Sequence, residues 1–456
     1  MVDHRLSISN SKGGTKTPRR IKKIWVAMST PFQANFFAPL IEELQSEYEF
    51  FVTAREHDGI SSILAAKRIP HVVVGRHGGR RLENKLEAYA QTIQQMLPLV
   101  EKEKPDLLLT ERWPEAVRVA FGLNIPSWVI FYDEREKHVN QMVFPLASKI
   151  FVPRFYTFQE LYQYGVTDLD KVVWFNGFHT GYLKDTSILT DNPFKKMGID
   201  SQVVFVRPEP EFASFFPNYQ PILEKSVDMI TKQTDATVAV LPRTEKQRVH
   251  YTRVKNVVVM DSSTHDSPVA HSNVALGAAE TMLMEAFVLG KPAVSAIYWE
   301  PSKPVQELHR HIAHSIEPTE IARHVDNYLS NNDETKAFSE KASLIVKAMD
   351  NPVKLMIDVI RRIDEEPGPE VVLKRRSKME VRVDILQASS MRPLRPTHIM
   401  KAANISYNEL KVIIDDLERR GLIKLETTIG GKYYQSTSEG LRLLEDYKRF
   451  KDRLFE

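Results

Sequence analysis

The sequence predicts an α/β chain of two Rossmann-like domains facing a cleft, followed by a small C-terminal winged helix-turn-helix domain. Three observations predict it. Near-continuously apolar, β-rich runs alternate with amphipathic helical stretches from Ile21 onward, the pattern of parallel sheets covered on both faces. The alternation breaks once, at the polar stretch KDTSILTDNPFKKMGIDS, and then restarts for a similar length. After the proline-bearing segment EEPGPE at 365–370 the pattern changes to short helices and one hairpin.

Taken in order, residues 1–20 are polar, rich in Ser, Lys, Gly and Thr, and lack periodicity, so a disordered basic tail is expected. The first domain, 21–185, opens with IKKIWVAMS, a helix around Phe36 to Glu47, EFFVTA, a helix around Gly59 to Lys67, and HVVVG. It continues with a long helix around Leu82 to Glu103, DLLLT, a helix from Pro114 to Phe121, SWVIFY, KIFVP and VVWFN. The second domain, 200–365, holds QVVFVRPEP, a helix around Pro221 to Lys232, ATVAVLPR, NVVVMD, NVALG, a helix to Leu289, and PAVSAI. Helices near Pro318 to Leu329, Glu334 to Met349 and Val353 to Ile363 are expected to close this half. Two such domains in tandem usually enclose a ligand between them, at the carboxyl ends of the strands. Residues 366–370 form the linker, because two prolines stop helix continuation.

Composition narrows the chemistry. The 456 residues include no cysteine, which removes disulfides, thiolate nucleophiles and Cys-ligated zinc. No apolar run approaches the roughly 18 residues needed to span a bilayer, and the first residues lack the apolar core of a secretion signal, so a cytoplasmic protein without membrane insertion is expected. The net charge of +3 conceals an uneven distribution. Residues 1–23 carry seven basic residues against one acidic, 371–456 carry 18 against 12, and the middle is acidic by nine charges. Basic ends around an acidic body suggest a polyanion-binding module joined to something that is not one.

Residues 371–456 supply that module. A basic helix, VVLKRRSKMEVRVDILQAS, directs Val383 and Leu386 inward and is followed by PTHIMKAAN and SYNELKVIIDDLERRG. Ser406 and Glu409 have capping-box spacing, and Leu410, Ile413, Ile414 and Leu417 make one apolar stripe. Gly421 suits the helix end, LIKLETT and KYYQST flank a Gly-rich tip, and Ser436 with Glu439 repeats the capping box before a last helix. This winged-helix order places the second helix of the pair in the major groove of double-stranded DNA. Tyr407, Asn408 and Lys411 are then placed to reach base edges, and Arg395, Thr397, Lys401 and Lys432 to hold phosphates. Winged helices also serve as protein-interaction or dimerisation modules, so a homodimer is compatible with this one. The motifs IM at 399–400, NISY at 404–407, Leu417, GLI at 421–423 and TSEG at 437–440 resemble the winged helix-turn-helix of archaeal-type predicted transcriptional regulators.

The chemistry of the body centres on NVALGAAETMLMEAFVLGKPAVS, 273–295. A strand delivers the chain to Gly277, small residues permit close backbone approach, and the helix begins near Glu280 and Thr281, where free amides and the positive helix end favour a pyrophosphate. Glu285 lies one turn beyond Thr281 on the same face, positioned to accept hydrogen bonds from ribose hydroxyls. By itself this is a small-residue turn before a helix, and many such turns are only compact connections.

Gly277, Thr281, Glu285, Gly290 and Pro292 resemble the donor-site signature of glycosyltransferase-B-fold proteins and of UDP-N-acetylglucosamine 2-epimerases. With WVAMSTPFQANFFAPLI at 25–41, FVTAR at 51–55, VGRHGG at 74–79, RVAFGLNIP at 118–126, FPLASKIFVP at 144–153, RPE at 207–209 and LPRTEKQR at 241–248, the body is similar to a mainly archaeal domain-of-unknown-function family of predicted glycosyltransferases. The resemblance implies that Gly277, Thr281 and Glu285 hold a nucleotide diphosphate and ribose, UDP-linked by analogy, as substrate or ligand with no separate cofactor; no His/Asp metal-ligand cluster is evident in the sequence, so no metal is expected. Arg207 and Arg243, at the ends of second-domain strands, are shaped to pair with phosphate oxygens, although Arg207 has Glu209 and Glu211 as nearby alternatives. From the first domain, Ser29, Thr30, Gln33, the RHGG loop, Glu111 and the DEREKH segment face the same cleft, and His77, Asp133 and Glu134 are the candidates for a catalytic base.

One departure bears on activity. Where the family carries an Asp at the end of the first strand and a Lys before the Gln, this chain has Ala27 and Phe32. Two readings follow: a metal-independent, nucleotide-sugar-dependent glycosyltransferase-like protein with a fused DNA-binding winged helix, or a catalytically silent regulator that senses a nucleotide sugar. An epimerase-like enzyme is a further alternative, and a pure interaction scaffold would leave the donor-type motif unexplained.

Overall fold

The computed structural model describes residues 21–56, 59–79, 81–185, 192–210, 219–261, 268–365, 378–390, 392–403, 405–428 and 431–455. The expected tail (1–20), the linker (366–370) and the basic run 371–377 lie outside the described residues.

Alternating apolar runs and helices make the first layer. Its elements are β1 (Lys23–Met28), α1 (Pro31–Leu44), β2 (Glu49–Glu56), α2 (Ile60–Ala66), β3 (Val72–Arg76), α3 (Leu82–Glu103), β4 (Leu107–Thr110) and α4 (Pro114–Gly122). They continue through β5 (Ser127–Ile130), α5 (Lys137–Val143), β6 (Lys149–Pro153), α6 (Phe158–Tyr162) and β7 (Val172–Phe175). The strands form one parallel sheet ordered β3-β2-β1-β4-β5-β6-β7. Trp25 through Met28 are fully buried because helices cover both faces, and the Trp25 indole donates to Thr53 Oγ1 on the neighbouring strand at 2.9 Å. The strand order reverses between β1 and β4, which opens a crevice at their carboxyl ends.

The second layer repeats the plan. It comprises α7 (Pro193–Lys196), β8 (Val203–Arg207), α8 (Ile222–Gln233), β9 (Thr237–Val240), α9 (Glu245–Tyr251), β10 (Val257–Val259), α10 (Pro268–His271), β11 (Val274–Gly277) and α11 (Glu280–Val288). Then come β12 (Ala293–Ser295), α12 (Lys303–Leu308), β13 (Ala313–His314), α13 (Pro318–Ser330), α14 (Asn332–Lys347) and α15 (Pro352–Glu365). The parallel sheet is ordered β10-β9-β8-β11-β12-β13, with its own reversal between β8 and β11. A short 3-10 helix, His179–Asp185, leads from β7 toward this layer.

Contrary to expectation, the last helix of the 200–365 segment does not close the second domain but crosses back to the first, packing α15 on α1. Asp364 accepts from the Ile21 amide at 3.0 Å and from Tyr48 Oη at 3.1 Å, and Arg361 pairs with Glu43 at 2.8 Å and Glu47 at 2.6 Å. The crossing follows from chemistry: α15 carries an apolar face bearing Met356 and Ile360, while its outer edge presents Arg361 to the acidic end of α1.

The C-terminal module has the order α16 (Lys378–Ala388), α17 (Pro396–Ala403), α18 (Tyr407–Arg419), β14 (Ile423–Thr428), β15 (Gly431–Ser436) and α19 (Ser438–Phe455), with an antiparallel hairpin as wing. Its core comprises Ile385, Leu386, Ile399, Leu410, Ile414, Leu417, Ile423 and Leu444, while Val383 is only half-buried. The Ser406–Glu409 capping box forms, with the Ser406 amide donating to Glu409 at 2.9 Å, and Gly421 takes φ 69° after the helix. The second expected box does not: Ser436 is buried in β15 against Leu386 O, and Thr437 accepts the Gly440 amide at 3.1 Å instead. The module docks on the first domain. Glu445 accepts from the Phe158 amide at the start of α6, and Gln387 donates to Asp168 at 3.2 Å. No helix of the described residues is long and apolar enough to cross a membrane.

Candidate functional site

A cleft of about 710 Å³ lies over the two crevices, walled by the loops after β1 and β4 on one side and after β8, β9 and β11 on the other.

The second-domain wall is built around α11. Gly277 ends β11 where a Cβ would sit 2.7 Å from Arg207 O and 2.5 Å from Met282 Cε, so only glycine lets the turn close. Gly277 is fully covered by this packing and shapes the turn without lining the cleft. Ala278, Ala279, Thr281 and Glu285 do line it. Ala279 occupies the N-cap and offers no side-chain acceptor, so no side chain caps the first amides of α11. Glu285, half-buried one turn in, receives no hydrogen bond from any described residue, and burial pushes its carboxyl pKa up to about 7.

Arg207 and Arg243 brace each other's loops. Arg207 donates to the carbonyls of Leu241 at 2.8 Å and Pro242 at 3.1 Å, and Arg243 Nε donates to Pro208 O at 3.0 Å. Both line the cleft. Glu209, the alternative partner considered for Arg207, is buried and accepts the Leu223 amide at 2.8 Å at the start of α8.

The first-domain wall is a connected polar layer. Gln33 donates to Glu111 and accepts the Ser29 amide at 2.6 Å, and Arg112 donates to Glu111 at 3.0 Å, to Asp133 O at 3.0 Å and to Asn140 at 3.0 Å. Phe32, Tyr132 and His179 stand together on the same wall.

The three base candidates fare differently. His77 lies exposed on the cleft wall, its Nδ1 accepting the Gly79 amide at 3.1 Å. Asp133 lines the cleft but is held by Arg135 at 2.9 and 2.8 Å; burial raises its carboxyl, and the Arg135 hydrogen bonds with the Arg112 and Arg135 charges outweigh it, leaving the pKa below the ordinary value. Glu134 does not line the cleft, contrary to expectation. Its carboxylate takes the Tyr156 hydroxyl and the Lys303 amide, the latter at 2.9 Å, and so ties the two domains together. His138 is exposed on α5, also outside the cleft lining.

Sequence reasoning missed the cross-cleft pair. Arg135 reaches the first residue of α11, with Nη1 2.6 Å and Nη2 2.9 Å from the Glu280 carboxylate, which also accepts from Ser302 at 2.8 Å. Nothing in a one-dimensional pattern joins residues 145 positions apart.

On the winged helix, Tyr407, Lys411, Arg395, Thr397 and Lys432 are all exposed. Arg395 Nε donates to Tyr433 Oη of the wing at 3.1 Å, which holds the start of α17 beside the hairpin. The acids of DDLERR are partly neutralised within the module, since Asp416 pairs with Arg382 at 3.1 Å and Arg420 at 3.0 Å. The side chains of Lys401 and Asn408 lie outside the described residues.

Comparison with known proteins agrees with this architecture. Residues 22–365 match the family described as protein of unknown function DUF354, and residues 375–454 match the winged helix-turn-helix family. The uncharacterized protein MJ0665 of Methanocaldococcus jannaschii is 28% identical over 282 residues, 60% of this chain and 81% of that protein. Among solved structures, the UDP-GlcNAc 2-epimerase of the same organism, in complex with UDP-GlcNAc and UDP, superposes with a TM-score of 0.54 at 13% identity, covering 75% of this chain and 99% of the other. The spinosyn forosaminyltransferase SpnP gives a TM-score of 0.50 at 11% identity over 76% of this chain and all of the other. At such identities the likeness shows the fold: two Rossmann-like domains in the glycosyltransferase-B arrangement.

Proposed function

This chain belongs to the family described as protein of unknown function DUF354, and we propose that its cleft binds a nucleotide-diphosphate sugar and that the winged helix, bound to duplex DNA, responds to that ligand. The observation that carries the reading is Glu285. A half-buried carboxylate without a donor is costly, and here it stands one helical turn beyond the first amides of α11, which no side chain caps, in the cleft that Arg207 and Arg243 also line. Ribose hydroxyls supply the missing donors, the helix end and the arginine forks take the diphosphate, and the sugar projects toward the first domain. The nucleotide sugars named with the similarly folded epimerase support this choice of ligand class.

Sensing is favoured over transfer by the state of the first-domain acids. Glu111, Asp133 and Glu134 are each already engaged by Gln33 and Arg112, by Arg135, or by Tyr156 and Lys303. A general base has to reach the acceptor hydroxyl with its lone pair available. The transferase reading keeps one specific support, His77 on the cleft wall.

A thermal-shift screen of nucleotide sugars over the full chain tests the proposal. A ligand at a hundred times its dissociation constant stabilises the folded state by about 2.7 kcal/mol. Stabilisation by nucleotide sugars without product release supports sensing, release of the nucleotide diphosphate that is lost in His77→Ala supports transfer, and no shift with any nucleotide sugar overturns both.

A further inference from the structure

Several buried polar atoms of the first-domain wall have no partner among the described residues. They include Thr30 Oγ1 after β1, Trp113 Nε1 after β4, and both ring nitrogens of His179 after β7. All three residues line the cleft. Buried polar groups are almost always satisfied, so such a concentration at one wall asks for a partner.

His179 is 1% exposed, and its ring stacks on Tyr132 at 3.8 Å and 16°. Phe32 meets both rings edge-on, 4.9 Å from His179 and 5.8 Å from Tyr132. The three rings form a shelf whose accessible parts are the half-buried Phe32 and Tyr132.

We propose that Phe32, Tyr132 and His179 form the sugar subsite of the cleft, with the shelf packing the apolar face of a pyranose and the imidazole hydrogen-bonding one of its hydroxyls. The proposal rests on the nucleotide-sugar reading above. Burial, and secondarily the Arg112 charge, pushes the His179 pKa down to about 3, so the ring is neutral and offers one donor and one acceptor, which is what a hydroxyl needs and what a phosphate does not. Thr30 and Trp113 add an acceptor and a donor on the same wall. Both ring nitrogens are without a partner among the described residues and the residue lines the cleft, so a sugar hydroxyl seated against the shelf supplies the missing partner. The diphosphate and ribose are held on the opposite wall by Arg207, Arg243 and Glu285, which leaves the hexose as the part that meets the shelf.

The test is calorimetric titration of the full chain with UDP and with UDP-N-acetylglucosamine. The wild type is expected to bind the sugar nucleotide more tightly than UDP. Phe32→Ala and His179→Phe each lower affinity for UDP-N-acetylglucosamine about tenfold, the worth of one lost polar or aromatic contact, while UDP affinity changes less than about twofold; His179→Gln recovers part of the loss. If His179→Phe fails to fold, Phe32→Ala carries the test, since Phe32 is only half-buried. Affinities that fall together for both ligands, that do not change, or that are already equal in the wild type overturn the subsite. A wild-type chain that binds neither probe overturns the nucleotide-sugar reading itself.

Discussion

Arg135 of the first domain grips Glu280 of the second with two hydrogen bonds across the mouth of the cleft, at 2.6 and 2.9 Å. The same guanidinium is anchored at home by Asp133, so the clamp is a rigid fork between two carboxylates. Both partners are mostly shielded from solvent. Truncating Arg135 strands the Glu280 charge, whereas truncating Glu280 leaves Arg135 paired with Asp133 alone. A double-mutant cycle of Arg135→Ala and Glu280→Ala, followed by denaturant unfolding, is expected to give a coupling energy of about 1–3 kcal/mol. Additive effects mean the clamp does not hold the domains.

The Glu285 carboxyl gives the cleft a pH signature. Its pKa is raised to about 7 from an ordinary 4.5 in the unfolded chain, so the stability it contributes is fully present below about pH 4.5 and lost as pH rises through 7. Glu285→Gln therefore becomes progressively more stable relative to wild type between pH 5 and 8, measured by thermal unfolding. Ribose hydroxyls prefer the ionised form, so UDP affinity rises between pH 6 and 8 by up to about tenfold in the wild type and less in the variant. The ligand's own phosphate titration is common to both.

Arg207 and Arg243 are expected to bind the diphosphate through planar forks held by backbone carbonyls. Arg243→Lys keeps the charge and loses the fork. UDP affinity falls about tenfold and uridine affinity less than about twofold in that variant, by titration calorimetry. Equal losses for UDP and uridine would place Arg243 outside the phosphate site.

DNA binding by the winged helix is expected to weaken steeply with salt. Lys432→Ala, at an exposed position on the wing proposed to hold a phosphate, is expected to lower the slope of log affinity against log salt by about one, and Tyr407→Ala to weaken binding mainly to a preferred sequence. Fluorescence anisotropy with labelled duplexes measures both. A salt-independent signal would mark the module as a protein-interaction surface.

The layers were legible because apolar runs announce parallel strands, and the helix Leu82–Glu103 stands where periodicity places it. The winged helix was legible through local chemistry: Ser406, Glu409 and Gly421 each act on neighbours within a few residues. Pairings at long range were not. The return of α15 to α1 depends on Asp364 meeting the Ile21 amide, and Glu134 was drawn from the cleft by Tyr156 and Lys303. Thr437 displaced Ser436 as a cap because the Ser436 hydroxyl is needed inside, against Leu386 O. Within the candidate site, Thr281, Glu285, Arg207 and Arg243 lie on the wall where strand ends put them. Arg135 and Glu280 meet only when the two domains face each other, and His179 joins Tyr132 and Phe32 only through contacts distant in sequence.

The measurement that bears most directly on the cleft is calorimetric titration of UDP into the full chain at pH 8, beside Glu285→Ala. One site per chain is expected in the wild type, with affinity reduced about ten- to a hundredfold in the variant, as the loss of hydrogen bonds to a charged group implies. Binding that is absent in the wild type, or indifferent to Glu285→Ala, would contradict a nucleotide-sugar cleft.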